Sequence, residues 1–256
     1  MENDDVFSPI LGRRKILQGA GVLSLLSLVR LGSGSKLADV ADVAGVAGAA
    51  HVIGGPRADA DLDVSDLIDT DALQSMCVLT PGETEGPYYL NLNLLRQNIT
   101  EGQAGLQTRL YVTVVSAATC APIPNASVDI WHNNALGVYS GFANQSTQGQ
   151  TWLRGVQMTD ANGLAVFDTI FPGWYQGRTT HVHVKVRPTP TTVLTTQMYF
   201  VQSLSNRIHV RGVYAPHGLN PTKNVSDGLY LPETLMTTIG VTPGIGLQQA
   251  LTIGVA

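Results

Sequence analysis

Residues Phe171 to Val186 read FPGWYQGRTTHVHVKV. The last six alternate His181, His183 and Lys185 with Val182, Val184 and Val186. A strand turns that period of two into two distinct faces, which a helix would not do. The proline and glycine ahead of it punctuate a turn. The same style recurs along the chain in RLYVTVVSA, ASVDIWHNN, LAVFDTI, TTQMYFV and NRIHVRGV, separated by APIPNA, TDANG and APHGLNP. Short runs of branched and aromatic residues between frequent turn signals predict an all-β chain: a β-sandwich of mostly antiparallel strands with long connecting loops. No long stretch of helical spacing interrupts residues 105–215.

The chain has 256 residues, 44% hydrophobic, with a net charge of −4. That length suits one domain with extensions, and the charge offers no basic footprint for nucleic acid. Residues 1–49 read as an address. Arg13 and Arg14 precede an apolar run, Ile16 to Val29, which falls short of the roughly 20 residues that span a bilayer. A basic start followed by a short apolar segment is the layout of a signal peptide. The arginine pair resembles a twin-arginine export signal, so the expected destination is periplasmic or extracellular, with no stable membrane insertion once the signal is removed. Residues 50–76 carry Asp59, Asp61, Asp63, Asp66, Asp69 and Asp71. A calcium loop starting at Asp59 would need glycine at its sixth place and glutamate at its twelfth. Val64 and Thr70 stand there, so the segment reads as an acidic linker. The domain proper is expected over residues 77–256. The two cysteines, Cys77 and Cys120, are expected to pair in an oxidising compartment, the alternative being two buried thiols.

His181 and His183 share one strand face, a common platform for a metal. Such a pair alone equally suits packed or solvent-facing histidines. A third thiolate, imidazole or carboxylate ligand, as zinc would take, is absent from the segment. Tyr175 is present instead, and Tyr139 follows the strand that carries Trp131. A phenol ionises near pH 10 in water, and a strongly acidic cation can strip its proton. Hard anionic oxygens suit iron(III), and two phenolates with one hydroxide would neutralise its charge.

Four stretches resemble the intradiol ring-cleaving dioxygenases, the family of the catechol 1,2- and protocatechuate 3,4-dioxygenases. They are TPGETEGPYYL, VDIWHNNALGVYSGF, RGVQMTDANGLAVFDTIFPGWYQGRTTHVHVKV and LTTQMYF, in the family's order, and together they cover about residues 77–230. The leader and the C-terminal GLQQALTIGVA fall outside. The resemblance implies Fe(3+) held by Tyr139, Tyr175, His181 and His183. It places Arg178 as the active-site arginine and Gln197 as a glutamine behind the ligands, with Tyr175 also exchanging a proton with substrate. It further implies cleavage of a catechol-type diol by O2 to a muconic acid derivative. Tyr88 and Tyr89 are candidates for lining the pocket or for packing. The connection QGRTT between Tyr175 and His181 is shorter than the family's usual insert, which predicts a wide entrance and broad tolerance of substituted catechols. A homo-oligomer is compatible with the sequence. RLYVTVVSAATCAPIPNASVDIWHNNALGVYS also resembles prealbumin-like or collagen-adhesin-like sandwich modules of exported proteins, which bind and do not catalyse.

Overall fold

The structure is a computed structural model that describes residues 77–256. The expected leader with Arg13 and Arg14 and the acidic linker lie outside the described residues. Eight strands form two four-stranded sheets. The first holds β1 (Gln107–Ser116), β4 (Leu164–Ile170), β7 (Thr237–Thr242) and β8 (Gly246–Val255), in the order β4-β1-β8-β7. The second holds β2 (Ser127–Trp131), β3 (Arg154–Met158), β5 (His181–Arg187) and β6 (Leu194–Tyr199), in the order β3-β2-β5-β6. All neighbours are antiparallel except β1 and β8. The sandwich of mostly antiparallel strands expected from the alternation is therefore the fold.

Alternation decides which residues meet between the sheets. Leu110, Val112 and Val114 of β1, Phe167 of β4, and Leu247 and Ile253 of β8 pack in one core with Val128, Ile130, Val182, Val184, Val186 and Met198 of the second sheet. Each such side chain contributes about 1.5–3 kcal/mol on full burial. The opposite face of β1 is half-buried and polar, with Arg109 Nε donating to Asp168 Oδ1 at 2.6 Å. β5 differs, because its outer face is buried too: His181, His183 and Lys185 are 2%, 1% and 7% exposed. Long loops cover that face, and the site lies beneath them.

One segment departs from the sequence reading. NRIHVRGV is not a strand; most of it belongs to the helix α1 (Gln202–His209) and the turn after it. Leu204 and Ile208 are buried one turn apart, a spacing that satisfies a helix and outweighs the local alternation of Ile208 with Val210. The C-terminal GLQQALTIGVA forms β8, running parallel to β1 over nine residue pairs. Its buried face includes Gln249, which is fully buried and donates to Thr238 Oγ1 at 2.8 Å. Cys77 and Cys120 form a disulfide with 5.2 Å between their Cα atoms. It ties the start of the domain to the turn after β1, and a loop of that span contributes about 2–4 kcal/mol. Among the described residues no helix is long and apolar enough to cross a membrane.

Candidate metal centre

Register builds the centre first. Trp131 of β2, His183 of β5 and Gln197 of β6 stand in one row across the sheet, with His181 opposite Tyr199 in the next. Paired residues on neighbouring strands share a face, so all five side chains project to the outer side. The Trp131 ring lies flat on His183, centroids 5.0 Å apart and planes 4° apart. His181 Nε2 is 3.2 Å from His183 Nε2.

Loops bring the phenols to this pair. Asn134 Oδ1 accepts from the backbone N–H of Leu136 at 3.0 Å and of Val138 at 3.1 Å, a side-chain-closed turn of the kind asparagine favours. Gly137 lies in that turn at φ +81°, and a Cβ there would sit 2.1 Å from the Trp174 carbonyl oxygen. Only glycine allows the loop bearing Tyr139 to approach the loop bearing Tyr175 so closely. Tyr139 is then held by its backbone: its N–H donates to Gln145 Oε1 and its carbonyl accepts from Thr147 Oγ1 at 2.6 Å. The ring centroids of Tyr139 and Tyr175 are 5.8 Å apart, and Tyr139 lies 6.3 Å from His183. Tyr175 Oη is 3.3 Å from His181 Nε2. Tyr88 stacks on Tyr139 at 4.2 Å and meets Tyr175 edge-on at 5.9 Å. Tyr89 turns away, donating to Asp129 Oδ2 at 3.1 Å and lying under the Lys185 ammonium.

The protonation states of the two histidines suit ligation, and the phenols would give up their protons only to a bound cation. His181 Nδ1 is 2.6 Å from the Thr179 carbonyl oxygen, so the proton sits on Nδ1 and the Nε2 lone pair faces the cluster. Burial, with the Arg178 charge, brings the His181 pKa down to about 3. Burial and then His181 itself hold His183 well below the usual imidazole range. Both rings are therefore neutral. The phenols are pushed the other way. Burial, then the neighbouring Tyr175, raises Tyr139, and burial raises Tyr175 against the pull of Arg178. Tyr139 Oη and His183 Nδ1 are buried with no hydrogen-bond partner. A buried hydroxyl without a partner is costly, and a cation bound by the phenolate would answer that. Among the described residues no three histidine, cysteine, aspartate or glutamate side chains converge. A cation here must use phenol oxygens beside the imidazoles, and that donor set fits iron(III).

Arg178 sits beside the cluster in a hydrogen-bonded frame. Its Nη2 donates to Gln197 Oε1 at 2.5 Å and to Tyr199 Oη at 3.4 Å. Its Nε donates to both carboxylate oxygens of Asp227, at 2.9 and 3.1 Å. Gln197 is fully buried, and its amide reaches back to the Thr84 carbonyl at 3.4 Å. The six residues assigned roles from the sequence, Tyr139, Tyr175, Arg178, His181, His183 and Gln197, thus lie in one cluster, with Tyr175 and Arg178 half-buried at its edge and Tyr88 but not Tyr89 against it. Three neighbours were missed. Tyr199 was within reach of the pattern, two places after Gln197 on the same strand face. Asp227 and Arg154 were not, because only tertiary structure brings them in. Arg154 is 3% exposed and donates to Ser140 Oγ, the Ser140 carbonyl and the Tyr88 carbonyl at 2.8–2.9 Å. It clamps the Tyr88 segment to the Tyr139 loop. Burial lowers its pKa to about 10, which leaves it charged at neutral pH.

A family model described as Dioxygenase matches residues 84–206. The catechol 1,2-dioxygenase of Acinetobacter baylyi is 34% identical over 101 residues, which are 38% of this chain and 32% of that protein. The chlorocatechol 1,2-dioxygenase of a Pseudomonas species is 34% identical over 98 residues, 31% of this chain and 38% of that protein. The matched stretches span only about a third of those curated relatives. Among solved structures, an intradiol ring-cleavage dioxygenase from Tetranychus urticae superposes with a TM-score of 0.64 at 30% identity, covering 70% of this chain and 94% of the other.

Proposed function

The chain belongs to the intradiol ring-cleaving dioxygenases, and from that premise we propose that it is a non-haem iron(III) enzyme that opens a catechol-type ring with O2. The ring would be cut between its two hydroxyl-bearing carbons, and both oxygen atoms would enter a muconic acid product. One observation carries this reading: two neutral imidazoles and the Tyr175 hydroxyl meet within 3.3 Å, beside a buried Tyr139 hydroxyl with no partner. Bound by Tyr139, Tyr175, His181 and His183, iron(III) would supply Lewis acidity and a template for the diol.

The remaining work falls to side chains. Tyr175 is the less buried of the two phenols and lies beside Arg178, so its Oη, which would be a phenolate when it holds iron(III), is the group placed to take a proton from an incoming diol. Arg178 holds a fixed positive charge there. Asp227 and Gln197 orient it, and it would stabilise negative charge that develops on the oxygenated substrate. Tyr88 walls the phenol side with an aromatic face. A sandwich module that only binds offers no account of why two imidazoles, two phenols and a guanidinium converge beneath these loops.

Iron-loaded protein should consume oxygen with catechol, with muconic acid absorbance rising in step. The short 176–180 connection should extend turnover to alkyl and aryl catechols. A colourless protein that takes up no iron and consumes no oxygen with any catechol overturns the reading.

The paired cysteines support an oxidising destination. Replacing Arg13 and Arg14 by lysine should then retain the protein in the cytoplasm. Unchanged export of that variant rules out the twin-arginine route.

A further inference from the structure

Glu83 precedes the Thr84–Tyr89 segment and plays no part in the chemistry above. Its backbone N–H donates to the Thr195 carbonyl at 2.8 Å, which fixes it beside β6. Its carboxyl oxygens lie 3.0 and 3.1 Å from Tyr199 Oη. The same hydroxyl is 2.7 Å from the Leu229 carbonyl oxygen and 3.3 Å from Gln197 Oε1. Four acceptor oxygens thus surround a phenol with one proton to give. The Leu229 carbonyl is the shortest contact and can only accept, so it takes that proton. Gln197 Oε1 is already served by Arg178 Nη2. The Glu83 carboxyl therefore completes the arrangement only as a donor to Tyr199 Oη.

We propose that Glu83 is a positioning residue of this site, which in its protonated form donates to Tyr199 Oη and so leaves Gln197 to Arg178 and the Arg178–Asp227 pair electrically neutral. Its kinetic consequence rests on the dioxygenase reading; the linkage between Glu83 and Arg178 does not. An ionised Glu83 would be a second carboxylate beside Asp227, turning a neutral pair into a net negative group next to the site. It would also compete for the Tyr199 proton and for Arg178. A diol that binds as an anion would then be repelled. The charged and titratable groups facing Glu83 are Tyr199 from β6, Arg178 from the loop before β5, and Asp227 from the turn that also presents the Leu229 carbonyl. Burial is the main influence and, with Asp227, pushes the Glu83 pKa up to about 7 against Tyr199 and Arg178. The proton is held below that pH and lost above it.

The test follows the Arg178 Nε–H resonance in the metal-free protein from pH 6 to 8. It should move through the neutral range in the wild type and stay fixed in Glu83→Gln, whose amide remains a neutral donor. In iron-loaded protein, wild-type kcat/KM should fall on the order of tenfold across that range, mostly through KM. Glu83→Gln should flatten the fall, and Glu83→Ala should be slow throughout. A wild-type Arg178 resonance that does not move, or a Glu83→Gln profile with the wild-type midpoint, overturns the proposal. Absence of oxygen uptake at every pH would sink the dioxygenase reading, while the resonance still decides the role of Glu83.

Discussion

His183→Ala protein should fail to hold iron(III), with affinity reduced more than about 100-fold, since loss of an outer partner to a ligand alone costs 10–100-fold. Iron-loaded wild type should absorb visible light through charge transfer from phenolate to ferric ion, and the variant should be colourless. Tyr139→Phe is the complementary change. It removes the orphaned hydroxyl from a fully buried site and leaves the ring to stack on Tyr88. The apo protein should then be as stable as the wild type or more so, because a buried group without a partner is removed. It should nonetheless bind iron poorly. That opposition of stability and metal content is what a ligand produces and a packing residue does not. Wild-type iron content and colour in both variants would dismantle the assignment.

The histidine pair of the candidate site was legible because a strand encodes its faces locally. His181 and His183 reveal a shared face at a spacing of two, whereas Gln197 was picked out by motif resemblance and its place beside His183 came only with the pairing of β5 and β6. The tyrosines were picked out by the oxygen donors that iron(III) favours and then by motif resemblance, while nothing in NNALGVYS says that its turn closes against Trp174. The frame around Arg178 was not legible. Asp227 lies 49 positions from Arg178, in a turn whose polar residues look like any solvent loop until it folds over the sheet. α1 was misread for a related reason: at eight residues, it is too short for helical spacing to outvote an accidental alternation. β8 lay outside the resemblance, and it holds Gln249 in the interior because that amide donates to Thr238 on β7.

Asp227→Ala should be among the most destabilising single changes in the domain. The Asp227 side chain is 2% exposed and that of Arg178 is 14% exposed. Besides Arg178 Nε, Asp227 accepts from the backbone N–H of Thr179 at 2.8 Å and of Leu229 at 2.9 Å. Alanine leaves a largely buried guanidinium without its counter-charge and two N–H groups without acceptors. Breaking such a pair costs about 3–5 kcal/mol, which for a domain of this size lowers Tm by roughly 6–20 °C. The loss would spread to the site, since Thr179 leads into His181 and Leu229 supplies the carbonyl that anchors Tyr199. A double-mutant cycle with Arg178→Met separates the pair from the turn. If the cost is mainly an abandoned charge, Asp227→Ala with Arg178→Met should be less destabilised than the sum of the singles by several kcal/mol. If the two costs simply add, Asp227 acts through its backbone hydrogen bonds and the turn matters more than the ion pair. An Asp227→Ala Tm within a degree or two of wild type would mean that Arg178 finds another partner.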